Sequence, residues 1–180
     1  MIDLYKSGET FSSIGRIMSR DRSVVSEFIK KDLILWTGLP AEHFSISYNR
    51  IDAMVGSNPL SEAYFFCVSN PKWHKNLSML FKAYTAYRKL VGPEALPLWV
   101  TIQNFDEVIP EGIALTGGVS GSRLESLYAG ARAFVFPSLY EGFGRPPVEA
   151  ALIGVPVGVS DIPPHREGLT AFHDSIQFLD

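Results

Sequence analysis

Between residues 63 and 160 short apolar runs alternate with amphipathic stretches, and no other feature of the chain restricts its fold as severely. "AYFFCVS" at 63–69 is almost wholly apolar. "HKNLSMLFKAYTAYRKL" follows, with apolar side chains at 77, 80, 81, 84, 87 and 90 before Gly92-Pro93. That spacing is the period of a helix with one buried face, and the glycine-proline pair stops it. "LWVTI" and "IALTGGV" read as further strands, "SGSRLESLYAGA" as a helix capped from Ser120 or Ser122, "AFVFP" as a strand, "PPVEAALIG" as a helix and "VPVGVS" as a strand. Continuous apolar strands are buried on both faces, as in a parallel sheet covered by helices on its two sides. The expected class is an open α/β fold, whose ligands bind beyond the carboxyl ends of the strands.

One connection departs from this rhythm. Ten residues, "QNFDEVIPEG", separate Ile102 from Ile113, whereas a parallel crossover usually takes a dozen or more and contains a helix. A crossover helix is expected to be shortened or lost here. Upstream, "EFIKKDLILW" reads as a helix behind Ser26, with Gly38 and Pro40 as stop signals, and "HFSISYN" alternates like a strand. The turn-rich "VGSNPLSE" that follows places a domain boundary near residues 52–62.

Composition narrows the functions. Sixteen basic and 19 acidic residues are mixed along the chain for a net charge of −3, so the totals carry no footprint for nucleic acid or anionic lipid. Cys67 is the only cysteine, which excludes an internal disulfide and a thiolate zinc site and fits a reducing compartment. In its apolar strand it reads as a small core residue. The four histidines lack metal-ligand spacing, and His165 and His173 are expected at the surface. No run approaches the ~18 apolar residues of a spanning helix. The expected location is the cytoplasm, with peripheral contact at the inner face of a membrane allowed.

The most informative stretch is "AFVFPSLYEGFGRPPVEAALIG", a strand, a loop and a helix. Gly142 and Gly144 let backbone approach a ligand and expose N–H groups, and Pro146 or Pro147 suits the first turn of the helix. A helix N-terminus aimed at the crevice favours an anion such as phosphate. With the helix starting near Pro146, Glu149 would lie in its first turn and accept hydrogen bonds from the vicinal hydroxyls of a ribose. Glu141, eight positions earlier in the loop, would reach a second polyhydroxyl group. A phosphate loop between two such carboxylates describes a nucleotide-sugar site.

"PSLYEGFGRPPVEA" closely resembles the E-x7-E signature of the retaining family 4 glycosyltransferases, group 1 enzymes of the two-domain GT-B fold. "NPKWHKNLSMLFKAY" resembles the family's lysine-bearing segment, "TGGVSGSRLESLYAGA" the strand, loop and helix before the signature, and "GVPVGVSDIPPHREGL" the strand and proline-glutamate segment after it. "VVSEFIKKDLILWTGLPAEHFSISYNRID" is similar to the connection between the family's two domains, so the resemblance runs from residue 23 to about 175. It implies a Rossmann-like C-terminal half that holds the donor, a nucleotide-diphosphate sugar such as a GDP- or UDP-sugar. Residues 1–50 would be the remnant of the N-terminal acceptor domain with its connection, and 51–180 the nucleotide-sugar-binding domain, truncated at its C-terminus. On that view the chain is the donor-binding half of an enzyme, inactive alone, that passes a sugar to a hydroxyl of a carbohydrate or lipid-linked acceptor in polysaccharide or glycoconjugate synthesis. The surface facing the absent domain would be partly apolar, a face on which two copies could pair.

Carried over by position, the resemblance implies that Glu141 contacts the donor sugar with help from backbone N–H groups of Gly142, Phe143 and Gly144. Glu149 would hold the ribose hydroxyls, Lys75 the diphosphate, and Gly117, Gly118 and Val119 would pass near the base. Neither metal nor cofactor is expected, since cationic side chains and helix dipoles serve in the metal's place. Many members carry an arginine a few residues before the lysine. This chain has Asn70 there and His74 beside Lys75, with Arg145 where an apolar residue is usual, turned either to phosphate or to solvent.

Plainer readings stand beside these. Glu141 would be a solvated loop carboxylate, Glu149 a helix cap, Lys75 a solvated helix-start lysine, and Glu167 either a ligand contact or a cap. The chain could also be a non-catalytic nucleotide-sugar-binding module. A different class of function lies in "GETFSSIGRIMSRDRSVVSEFIKK", which resembles a helix-turn-helix and would make residues 8–31 a DNA reader. Its residues run without a break into the glycosyltransferase-like segment, so nucleic acid is not the expected partner.

Overall fold

The computed structural model describes residues 31, 34–44 and 63–179. The chain divides into two compact units, one holding Met1–Arg50 with Glu141–Phe143, the other Ile51–Tyr140 with Gly144–Asp180. In the first, residues 34–37 are helical, Gly38 stops them at φ 70°, and a short 3-10 turn covers Ala41–His43. The proposed DNA-reading segment, apart from Lys31, lies outside the described residues, as do the 52–62 boundary and all but the first two residues of "HFSISYN".

In the second unit six parallel strands form one sheet in the order β3-β2-β1-β4-β5-β6. They are β1 (Tyr64–Cys67), β2 (Leu98–Val100), β3 (Ile113–Leu115), β4 (Ala131–Phe136), β5 (Val157–Ser160) and β6 (Ile176–Leu179). The helices are α1 (Leu77–Val91), α2 (Gly121–Gly130), α3 (Arg145–Ile153) and α4 (Pro163–Gly168). At the centre Phe66 stands opposite Trp99 on one side and Phe134 on the other, and the β1–β4 register shifts by one residue between Tyr64 and Phe65.

Both faces of the sheet are covered because its central strands present apolar side chains alternately to each. Leu77, Leu80, Phe81 and Tyr84 of α1 pack with Cys67, Leu98 and Val100, and Phe65 and Val135 close against that cluster. On the opposite face Phe66 meets Tyr128 of α2 edge-on at 5.3 Å, and Phe134 meets the same ring at 5.3 Å. Each fully buried side chain of this size contributes about 1.5–3 kcal/mol of transfer free energy. The aromatic rings add directional preference through their edge-to-face contacts.

The short connection lacks a helix, as its length requires: no regular element lies between Val100 and Ile113. Phe105 and Ile109 of the link pack on the α1 cluster instead. Its end is pinned from α1, where the Tyr84 hydroxyl lies 3.1 Å from the carbonyl of Leu96 and 2.9 Å from that of Gly112. Gly112 is at φ 86°, and a Cβ there would come within 2.5 Å of that hydroxyl and 2.6 Å of Arg88 Nη1. Tyr84→Phe should therefore destabilise the protein by about 0.5–1.5 kcal/mol in urea unfolding, the cost of one half-buried hydrogen bond, since a single hydroxyl proton is shared between the two carbonyls and that of Gly112 also accepts from the N–H of Leu98. A change within a few tenths of a kcal/mol would show that the hydroxyl does not hold the link.

Two features were not anticipated from sequence. Strand β6 extends the sheet beyond β5, and Pro163–Gly168 is a helical turn opened by two prolines. Among the described residues no helix is long and apolar enough to cross a membrane.

Candidate functional site

In this strand order the connections leaving β1 and β4 depart to opposite sides, β1 towards β2 and β4 towards β5. Neighbouring strands whose connections diverge leave a crevice at their carboxyl ends, where open α/β sheets bind ligands. The loops after β1 and β4 meet there. The N–H of Leu139 donates to the carbonyl of His74 at 2.8 Å, and the His74 and Tyr140 rings meet edge-on at 5.8 Å.

Lys75 is placed by a backbone device. It ends a 3-10 turn, Trp73–Lys75, and the next residue, Asn76, adopts φ 55° and ψ 35°. Asn76 is the one non-glycine residue with positive φ among those described, and asparagine tolerates that left-handed conformation better than most. Lys75 Nζ lies 5.0 Å from the centroid of the Phe136 ring at the end of β4, within cation–π range. Its charge also reaches Cys67. Burial pushes that thiol up to about 12, and Lys75 offsets part of the rise. The cysteine is a core residue, as its strand position implied.

Asn70 is exposed, and its Oδ1 accepts from the N–H of Lys72 at 3.2 Å, which shapes the loop locally. Gly117 donates its N–H to the carbonyl of Ile102 at 3.1 Å, so Gly117, Gly118 and Val119 continue from the carboxyl end of β3. Ser120 is the N-cap of α2 in extended conformation, without a side-chain capping bond.

The glutamate-bearing helix, α3, is preceded by Gly144, which caps it in the left-handed region at φ 79°. A Cβ there would stand 2.9 Å from His165 Cδ2 and 3.2 Å from its Nε2, so position 144 requires glycine for both conformation and space. His165, expected at the surface, is instead 1% exposed. The first turn of α4 inserts the ring under Gly144 and 5.6 Å from Phe136. Its Nδ1 lies 2.8 Å from the carbonyl of Ser160, and since a carbonyl only accepts, Nδ1 carries the proton. Ser160 in turn donates its hydroxyl to the carbonyl of Ser138.

Pro146 and Pro147 occupy the second and third positions of α3. Proline has no N–H, so the anion-facing donors at this helix start reduce to the N–H groups of Gly144 and Arg145. Glu149 falls fifth in the helix, just past the first turn where the sequence put it, because α3 begins one residue earlier, at Arg145.

Glu149 is not a solvated cap. Its side chain is 14% exposed, Oε2 accepts from the Tyr128 hydroxyl at 3.0 Å, and Oε1 is 3.5 Å from Arg145 Nη2. Burial, followed by the charge of Glu149, raises the Tyr128 phenol well above its ordinary value, so the hydroxyl remains a donor at any physiological pH. Arg145 lies largely in solvent, one of the two directions foreseen for it, and from there pairs loosely with the glutamate one helical turn on. The sequence marks Tyr128 only as a residue of its helix. The i,i+4 spacing of Arg145 and Glu149 was the signal that could have disclosed their pair.

Glu141, Gly142 and Phe143 are grouped with Met1–Arg50 rather than with the sheet. Glu141 and Phe143 are half-buried and Gly142 is exposed. Glu167 sits half-buried on α4. The structure therefore brings Lys75, His74, Gly144 and Glu149 to the carboxyl edges of β1 and β4, with Gly117–Val119 at that of β3.

Residues 106–176 match the model of the family described as glycosyl transferases group 1. The O-antigen chain mannosyltransferase RfbU of Salmonella typhimurium (strain LT2) is 29% identical over 153 residues, 81% of this chain and 43% of that protein. An O-antigen chain mannosyltransferase B of Escherichia coli is 52% identical over 50 residues, 28% of this chain and 13% of that protein. The chain spans under half the length of these curated relatives. Among solved structures, the pneumococcal O-GlcNAc transferase GtfA in complex with UDP and GlcNAc aligns with a TM-score of 0.53 at 21% identity, over 65% of this chain and 24% of that one. That likeness is one of fold.

Proposed function

We propose, from the premise that this chain carries the domain of the group 1 glycosyl transferases over residues 106–176, that it binds the nucleotide-diphosphate sugar from which a sugar passes to an acceptor hydroxyl in polysaccharide assembly. The observation that carries the proposal is Glu149: a carboxylate with one oxygen fixed by a buried phenol, on the helix that opens from the matched glycine-proline frame. In this reading Glu149 accepts hydrogen bonds from the ribose hydroxyls. Lys75 neutralises charge on the diphosphate as it leaves, and Glu141 contacts the donor sugar with Gly142, Phe143 and Gly144. His74 and Asn70 flank the phosphates, and Gly118 and Val119 pass the base. Transfer would proceed with retention of configuration and without a covalent protein nucleophile, the electrostatic burden falling on Lys75 and the helix start.

The names of the relatives support mannose as the sugar and a bacterial O-antigen chain as the product. Acceptor binding and completion of the transfer are assigned to an N-terminal domain of the kind the GT-B arrangement supplies. This chain contributes the donor half.

Calorimetric titration of the purified chain with GDP, UDP and ADP tests the reading. Selective binding of one of them is the expected result, and no binding of any would overturn it. Lys75→Ala should weaken that binding about tenfold, the scale of one lost charge-assisted hydrogen bond, while loss of its contact with the Phe136 ring lowers stability by only about 0.5–1 kcal/mol. Equal affinity in the variant would remove Lys75 from the diphosphate site.

A further inference from the structure

The phenol of Tyr128 is held more firmly than a hydroxyl that merely fills space. Its ring is fully buried and wedged between Phe66 and Phe134, each at 5.3 Å between centroids. That packing leaves the hydroxyl one direction, towards Oε2 of Glu149 at 3.0 Å. The other oxygen is held far more loosely. Arg145 Nη2 stands 3.5 Å from Oε1, beyond the usual length of an N–H···O bond, on a side chain that is 58% exposed. A pair this long, with its cation largely in solvent, is worth little and yields readily to a competing ligand.

We infer that Tyr128 is a positioning residue of the nucleotide site: it anchors Glu149 by Oε2 and so presents Oε1 to the ribose hydroxyls, with Arg145 giving up that oxygen when the nucleotide arrives. The inference rests on the reading of Glu149 as the ribose-binding carboxylate. A carboxylate on a helix has free rotation about its last torsion, and an anchor on one oxygen removes that freedom before the ligand binds. The anchor comes from α2, the element that joins the two halves of the sheet, and not from the motif that carries the glutamate. Arg145, once released, lies at the first position of α3, beside the N–H groups left to meet a phosphate.

Tyr128→Phe removes the hydroxyl and keeps the ring. Its affinity for the nucleoside diphosphate that the unchanged chain selects is expected to fall about tenfold, the scale of a hydrogen bond to a charged group. Affinity for the 2′,3′-dideoxy form of the same nucleotide, which offers Glu149 no hydroxyls, should be the same in both proteins. In a Glu149→Ala background, where there is nothing left to anchor, the tyrosine substitution should add little for either ligand. Equal losses for the two ligands would mean that Tyr128 only supports the fold, and no loss for either would mean that the anchor is idle. Both results overturn the inference while leaving the donor-site reading intact. Failure of the unchanged chain to bind any nucleotide overturns both together.

Discussion

Glu149→Ala is expected to weaken nucleoside diphosphate binding by about 1–3 kcal/mol, as for lost hydrogen bonds to a charged acceptor. The substitution does two things that must be separated. It removes the proposed ribose acceptor, and it leaves the Tyr128 hydroxyl buried without its carboxylate partner. The second effect lowers stability whether or not a nucleotide binds. Glu149→Gln separates them, because an amide oxygen can still accept from Tyr128 while the charge that strengthens the ribose contacts is gone. The expected order of affinity is Glu, then Gln, then Ala, with the Gln protein close to the unchanged chain in urea unfolding. If the folded Ala protein binds as tightly as the unchanged one, Glu149 is not in the site.

Gly144→Ala should cost more, about 2–4 kcal/mol of stability, from two sources that act together. Alanine at φ 79° is strained in itself, and its Cβ would stand 2.9 Å from the His165 ring. The ring has little room to withdraw, since it is 1% exposed, tied at Nδ1 to Ser160 and packed towards Phe136. Removing the ring as well, in a Gly144→Ala, His165→Ala protein, should recover the steric part and leave the backbone strain. The two substitutions are therefore expected to combine non-additively in a double-mutant cycle. Stability of the single Gly144→Ala protein within half a kcal/mol of the unchanged chain would be incompatible with this geometry.

Helix α1 was legible because its buried residues, Leu77, Leu80, Phe81 and Tyr84, repeat at helical spacing between a turn and a glycine-proline stop. The central strands were legible because burial on both faces makes them apolar throughout. Strand β6 was not. As an edge strand its residues alternate between half-buried and exposed, and "IQFL" is too short for such alternation to stand out. The missing crossover helix could be read from length alone, but its replacement by a Tyr84 pin could not, since nothing in the sequence ties residue 84 to residue 112.

The candidate site divides the same way. The glycine-proline frame and its glutamates announce themselves in one contiguous stretch. The groups that support them do not, because they come from elsewhere in the chain. Tyr128 sits 21 residues before the glutamate it binds, and His165 lies one strand beyond the glycine it abuts. Histidine is ordinarily polar enough for the surface. Here its buried position follows from a hydrogen bond to Ser160 and from the cavity that a missing Cβ leaves at Gly144.

The order β3-β2-β1-β4-β5-β6 also divides the sheet into two sequence-local halves. Strands β1 to β3 come from residues 64–115 and β4 to β6 from 131–179, and within each half every strand pairs with its neighbour in sequence. The halves pair with each other along one seam, between β1 and β4. Within each half paired strand residues lie 15 to 33 positions apart, whereas the seam must close over a separation of 67 to 68, the slower kind of contact to form. The crevice with Lys75 on one side and Glu149 on the other lies at the end of that same seam. A nucleotide held by both, as proposed, would act as a clasp across the last joint to assemble, and the chain would then be most resistant to coming apart with that ligand bound.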